Sequence, residues 1–234
     1  MKKTRGRSCT RIIEFIIEQK SFCLFYLCSF VLFESIQLLT EDVAFLSVIA
    51  AFAELYILSA FLVGCRAIIE GRTARNIRDS LIFNDTRLFL EMVLLYLLVF
   101  SVYYILSLTI VAFEFVKPEH LGYMLDQSRL TSVATDVVFR IIYQTLLCYS
   151  VAHIVYFKDN AWKSIGSGIK LTFQTKSVFF GIVLFNCCVK LSGFALNNSM
   201  LKTIVEEYVG PLVLPVAVMA LFYYFEERGA KVGC

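Results

Sequence analysis

Six long apolar runs separated by short polar segments are the main pattern of this chain. The runs cover residues 21–39, 43–64, 88–113, 130–157, 177–196 and 205–225. An α-helix rises 1.5 Å per residue, so about 20 apolar residues cross the roughly 30 Å hydrocarbon core of a bilayer. The pattern therefore predicts an all-α, polytopic membrane protein with six transmembrane helices.

Three polar segments are basic and also carry apolar residues at helical spacing. They cover residues 1–20, 65–87 and 158–176, and each precedes a pair of apolar runs. Such segments are typical of helices that lie at the cytoplasmic membrane interface, where Trp162 is also favoured. We predict a basic amphipathic N-terminal segment over 1–20, a membrane domain over 21–226 and a cytoplasmic tail over 227–234.

The amino-acid composition agrees with a membrane protein. Of the 234 residues, 59% are hydrophobic and only 18% are charged, whereas soluble domains are about 45–50% apolar and about 25% charged. The net charge of +3 is small, and no basic patch indicates a nucleic-acid partner. The loops are too short for a separate soluble domain.

Six crossings would place the polar segments on alternate sides of the membrane, and lysine and arginine are distributed unequally between these two sides. Seventeen of the 22 fall in the N-terminal segment, the second and fourth loops and the tail, and three fall in the other loops. Cytoplasmic loops of membrane proteins carry an excess of these residues. The distribution predicts that both termini are cytoplasmic.

The fourth apolar run contains two opposite charges one helical turn apart. Asp136 and Arg140 share a helix face, with the acid on the N-terminal side, and Gln144 continues the same row. A charge at the bilayer centre costs roughly 2.5–3.5 kcal/mol on insertion scales, so this face should point to protein or water. A structural ion pair and a transport or binding site are both compatible with this pattern.

The predicted orientation assigns a depth to every charge inside a run. Glu34, Asp136 and Lys190 fall at one level, roughly 7–9 Å below the outer ends of their helices. Glu54 and Arg140 fall at a second level, nearer the midplane. We therefore predict a cluster of these five residues in the outer half of the bundle, because unpaired ions are excluded from hydrocarbon. Lys190 has the alternative of extending its amine to the outer headgroups.

No motif indicates catalysis, a metal or a cofactor. The sequence contains neither H-E-x-x-H nor C-x-x-C, and Walker and G-x-S-x-G motifs are also missing. Five cysteines fall in apolar runs and three lie at or beyond the cytoplasmic side, so no outer disulfide framework is implied. No catalytic residue, metal site or cofactor is predicted, although an enzyme remains open.

One amphipathic segment and the start of the following run carry a family resemblance. Residues 161–173 read AWKSIGSGIKLTF and residues 176–180 read KSVFF. This layout resembles small six-span membrane families of the glycerophosphodiester phosphodiesterase membrane-domain type. The resemblance implies a six-span fold and brings no catalytic residues with it.

Two functions follow from these patterns. The first is a non-enzymatic module that binds or transports a small solute or lipid through the predicted polar cluster. The alternative is a structural or partner-docking subunit that uses its basic cytoplasmic helices. The expected partners are the bilayer, anionic lipid headgroups at the cytoplasmic face, and a second copy or another membrane protein.

Overall fold

The computed structural model describes residues 8–40, 43–71, 86–115, 125–195 and 199–228, and every regular element in these ranges is helical. The α-helices are α1 Ser8–Glu18, α2 Lys20–Leu39, α3 Ala44–Ile69, α4 Thr86–Phe115, α5 Leu125–Phe157, α6 Ala161–Gln174, α7 Lys176–Ala195, α8 Ser199–Thr203 and α9 Val213–Glu227. Between α8 and α9, Ile204–Val209 form a π-helix and Gly210–Leu212 a 3-10 helix. The predicted helical class is confirmed.

Five helical stretches are long and apolar enough to cross a membrane. They are α2, α3, α4, α5 and the composite stretch Met200–Glu227. The pair α6 and α7, bent by 95°, brings the number to six if the pair counts as one span. The chain is thus a multi-pass membrane protein with five or six spans, and the predicted count of six stays a prediction.

Helix α3 is longer than the apolar run from which it was predicted. It continues past residue 64 to Ile69, although Arg66 interrupts the apolar sequence. The Arg66 guanidinium donates from Nε to Glu70 Oε1 at 2.8 Å and from Nη1 to the Val155 carbonyl at 2.7 Å. Because its charge is paired and both its Nε and Nη1 atoms donate hydrogen bonds, the arginine is accommodated within the helix.

Helix α5 is the centre of the bundle. It contacts α3, α4, α6, α7 and α9. In its second half nearly every side chain from Leu147 to Tyr156 is buried, so this part of the helix has no face directed to lipid. Helix α2 differs, because Leu24, Val31 and Leu32 are exposed along its length.

A tight elbow connects α5 to α6. Lys158 adopts a left-handed backbone conformation with φ 57°, and Asn160 caps α6 by accepting a hydrogen bond from the Lys163 amide at 2.8 Å. The Ala161 amide donates to Glu91 Oε2 of α4 at 2.8 Å. The carboxylate of α4 therefore satisfies the N-terminus of α6 and fixes where this helix begins.

Helix α6 lies against α5 through small side chains. Ser164 and Gly168 are buried in this contact. A Cβ atom at Gly168 would lie 3.0 Å from Ser150 Oγ, 3.2 Å from Ser150 N and 3.3 Å from the carbonyl carbon of Tyr149. Two of these atoms are backbone and cannot rotate away, so the close approach of the helices requires glycine at residue 168.

Replacement of two glycines in α6 by alanine should have opposite effects. Gly168→Ala should lower the free energy of unfolding by about 1–3 kcal/mol, because the added methyl group forces the two helices apart. Gly166→Ala meets nothing within 4 Å and should raise stability by about 0.5–1 kcal/mol through the intrinsic helix preference of alanine. Thermal unfolding of the purified proteins measures both, and equal shifts would contradict the proposed contact.

Candidate functional site

Two acidic residues inside the spans come together in the hairpin formed by α2 and α3. Glu34 lies near the end of α2 and Glu54 lies in the first half of α3, close enough for the Glu54 carboxylate to act electrostatically on that of Glu34. Gln37 Nε2 donates to Glu54 Oε2 at 2.7 Å. We call the end of the bundle where α2 ends and α3 begins the Lys/Arg-poor end.

The π-helix brings a third carboxylate to this site. Glu207, within that helix, also acts electrostatically on Glu34. The neighbouring Tyr208 places its hydroxyl 3.0 Å from Ser35 Oγ, which ties the π-helix to α2. Glu34, Glu54 and Glu207 form what we term the carboxylate cluster.

Proline explains why the composite stretch Met200–Glu227, which we call the last span, is irregular around Glu207. Pro211 has no backbone N–H, and its ring would clash with the carbonyl of Glu207 in a regular α-helix. The chain responds with a π-helix before residue 210 and a 3-10 helix over Gly210–Leu212. Such π-helical turns are frequent at functional sites.

Arg140 of α5 reaches the same break in the last span. Its Nη1 atom would lie 3.9 Å from a Cβ at the buried Gly210, three residues after Glu207. The arginine is half-buried, and its guanidinium lies beside the irregular segment that also carries Glu207. A Cβ at residue 210 would be in ordinary van der Waals contact with the guanidinium, so a small residue fits at this position.

One turn after Arg140 on α5, a hydrogen bond between polar side chains joins α5 to α7. Asn186 Nδ2 donates to Gln144 Oε1 at 2.6 Å and to the Ile182 carbonyl at 2.9 Å. Asn186 is buried, and Lys190 follows it by one turn and is half-buried. The hydrogen bond between the helices places Arg140, Gln144, Asn186 and Lys190 along the contact between α5 and α7.

The five residues of the predicted cluster are placed as follows. Glu34 and Glu54 are neighbours, Arg140 lies at the break of the last span, and Lys190 lies on α7. Asp136 belongs to α5, and its side chain lies outside the described part of the structure.

Sequence reasoning omitted four residues of the site: Ser35, Gln37, Glu207 and Tyr208. Ser35 and Gln37 flank Glu34 on α2 as uncharged polar residues, and the depth of charges alone did not select them. Glu207 and Tyr208 lie at the start of the last apolar run, where a polar residue is ordinary. The available signal was Pro211 four residues after Glu207, which marks a break in the helix beside a carboxylate.

The opposite end of the bundle holds a second polar group with a different character. Arg66 makes its bonds to Glu70 and the Val155 carbonyl and also lies over the Tyr156 ring, 5.1 Å from its centroid. The positive charge therefore meets one carboxylate, one carbonyl and one aromatic face. These contacts connect α3 to α5 and leave the buried charge of Arg66 with a partner, as a structural role requires.

His153 is buried near the end of α5. It packs against the rings of Phe157 and Phe225 with centroid separations of 5.1 and 5.6 Å. Asp159 Oδ2 lies 3.6 Å from His153 Nδ1, and Asp159 Oδ1 accepts a 2.7 Å bond from Lys163 Nζ. This histidine is part of the aromatic packing at the elbow, and among the described residues no group suited to hold a metal ion occurs.

The fold and the site define the class of this molecule as a multi-pass helical membrane protein with acidic side chains inside the bundle. No family model, no curated protein and no solved structure matches the chain. The resemblance in layout to the glycerophosphodiester phosphodiesterase membrane-domain type therefore stays a resemblance.

The bond between Ser35 and Tyr208 should couple α2 to the last span. A double-mutant cycle with Ser35→Ala and Tyr208→Phe should give a coupling free energy of about 0.5–1.5 kcal/mol, the usual net value of a hydrogen bond. Thermal or denaturant unfolding of the four proteins measures it. Additive effects of the two substitutions would show that the hydroxyls do not interact. Tyr104→Phe, an exposed tyrosine on α4, is the matched control.

Proposed function

We propose that this protein is a non-enzymatic membrane module that binds or transports a small solute or lipid through the carboxylate cluster and Arg140. The observation that carries the proposal is the meeting of three acidic segments inside the bundle, through the 2.7 Å bond from Gln37 to Glu54 and the 3.0 Å contact between Ser35 and Tyr208. Carboxylates held together in a medium of low dielectric constant repel one another unless they take up protons or share the site with positive charge. The proposal rests on the second of these arrangements.

The charge balance indicates the kind of ligand. Arg140 supplies one positive charge at the break near Glu207, so the three carboxylates exceed it. A solute or lipid headgroup with a cationic group would satisfy the remaining carboxylates, and Gln37 and Ser35 would add hydrogen-bonding groups. The irregular backbone of the last span supports this proposal, since irregular segments at membrane depth occur where they line a cavity or lie within protein.

The proposal predicts that organic cations stabilise the protein through the cluster. Choline and ethanolamine should raise the thermal unfolding temperature of the detergent-purified protein, and acetate at the same concentration should not. A ligand at about 100 times its Kd adds about 2.7 kcal/mol of stability by linkage. Glu54→Gln should abolish the shift, since it removes the negative charge of the carboxylate that Gln37 holds in place.

The matched control is Glu226→Gln, which removes an exposed carboxylate at the opposite end of the bundle. It should leave the shift with choline unchanged. Equal shifts in the wild-type protein and in Glu54→Gln would contradict binding at the cluster. No shift with either cation would favour the second candidate function.

The second candidate is a partner-docking subunit, and a groove favours it. A cavity of about 330 Å³ lies between α1, α3 and α9 and is lined by Phe15, Ile68 and Tyr223 among other residues. Three acidic residues, Glu14, Glu18 and Glu226, also line it, against one basic residue, Arg11. The excess of negative charge in the cavity suits a basic segment of a partner protein.

We further propose that the chain crosses the membrane six times with both termini in the cytoplasm. The unequal distribution of lysine and arginine supports this orientation. An epitope tag after residue 41 should lie on the side of the membrane that faces away from the cytosol. Tags at residues 1 and 234 should be accessible from the cytosol. Five crossings would place the two terminal tags on opposite sides.

A further inference from the structure

Helix α6 lies across the direction of the span that follows it. The angle between α6 and α7 is 95°, and α6 begins after the three residues that follow the end of α5. We call this end of the bundle, where α5 and α3 also end, the Lys/Arg-rich end. A helix in this position lies along the membrane surface when its neighbours cross the membrane.

The residues of α6 divide into three faces. Ala161, Ser164, Gly168 and Leu171 are buried in the bundle. Trp162, Ile169 and Phe173 are 67%, 47% and 75% exposed and follow one another at the i, i+7, i+11 spacing of a single helix face. The third face carries Lys163 and Lys170, both exposed, beside the apolar face.

The charge of this surface is entirely positive. No acidic residue occurs between 161 and 176. Lys163 forms an ion pair with Asp159 at 2.7 Å, whereas Lys170 and Lys176 are exposed and make no ion pair with the described residues. Two positive charges beside an exposed aromatic stripe match the headgroup region of an anionic bilayer.

A position in the membrane plane also agrees with the cost of burying charge. If α6 and α7 together formed a broken span, Lys163 and Lys170 would enter hydrocarbon, at roughly 2.5–3.5 kcal/mol each on insertion scales. A helix at the surface keeps both amines among headgroups. Phe180 and Leu184 of α7 are also exposed, so the helix that follows presents apolar side chains outside the protein as well.

We infer that α6 is an in-plane helix that binds anionic phospholipid. Trp162, Ile169 and Phe173 insert at the boundary between headgroups and acyl chains, and the amines of Lys170 and Lys176 bind lipid phosphates. The partner is lipid, because the helix that follows the stripe also exposes apolar side chains and because the lysines beside the stripe carry the charge opposite to that of the headgroup.

The sole tryptophan of the chain provides the test, because Trp162 lies on the proposed lipid-binding face. The full-length protein is reconstituted into phosphatidylcholine vesicles that contain an equal fraction of either brominated phosphatidylglycerol or brominated phosphatidylcholine. Bromine quenches tryptophan fluorescence at short range. Brominated phosphatidylglycerol should quench Trp162 more strongly, and high salt should reduce the difference.

Two lysine substitutions should remove this preference. Lys170→Gln and Lys176→Gln should each lower the relative binding constant for the anionic lipid about five-fold, the value expected for one lysine near a charged surface. Quenching by brominated phosphatidylcholine should persist in both variants, which shows that α6 is still in place. Lys20→Gln, an exposed lysine at the start of α2, should leave the preference unchanged.

Equal quenching of the wild-type protein by the two brominated lipids would overturn the inference, since the stripe would then insert without recognising headgroups. Absence of quenching by either lipid would also overturn it, because another protein or a second copy would then cover the face. Both results come from the wild-type protein and do not depend on the folding of a variant.

Discussion

A charged side chain in hydrocarbon is stable only beside other polar groups, and this constraint shapes both ends of the bundle. At the Lys/Arg-rich end, Arg66 is surrounded by a carboxylate, a carbonyl and an aromatic ring. At the Lys/Arg-poor end, carboxylates are neighbours of carboxylates. The first arrangement pairs its charge within the chain, whereas the second gathers like charges, with Arg140 of α5 at the adjacent break in the last span.

The elbow after α5 shows how one turn can determine the position of a whole helix. Glu91 of α4 accepts the first amide of α6, Asn160 caps the same turn, and Gly168 allows α6 to touch the backbone of α5. These contacts come from three different parts of the chain. They hold α6 across the bundle, so its Trp162 face and its lysines are directed away from the protein core.

The helical class and the membrane-spanning character could be predicted because an apolar run of about 20 residues matches the thickness of the hydrocarbon core. Position along a helix also followed from residue number, and two of the five predicted residues, Glu34 and Glu54, lie in the same hairpin. The predicted depths stay a prediction. Rotation about each helix axis did not follow, because the contacts between helices set it. For this reason the sequence did not predict that Glu207 lies near Glu34, or that α6 approaches α5 closely at Gly168.

The irregular last span was only partly visible in the sequence. Pro211 indicates a break, but the choice of a π-helix before it depends on packing against α2 and α7. The 95° bend between α6 and α7 likewise falls at Thr175, where neither glycine nor proline marks it in the sequence.

The two sides of the carboxylate cluster differ in how deeply they lie in the bundle. In its most apolar stretch, α2, which carries Glu34, has 11% of its residues buried, whereas the corresponding figures are 50% for α5 and 56% for the last span. Arg140 and Glu207 therefore belong to the enclosed half of the bundle. Glu34 belongs to a marginal helix that packs mainly against α3 and is joined to the last span by the contact between Ser35 and Tyr208. The cluster thus lies where the enclosed core gives way to the outer margin of the bundle.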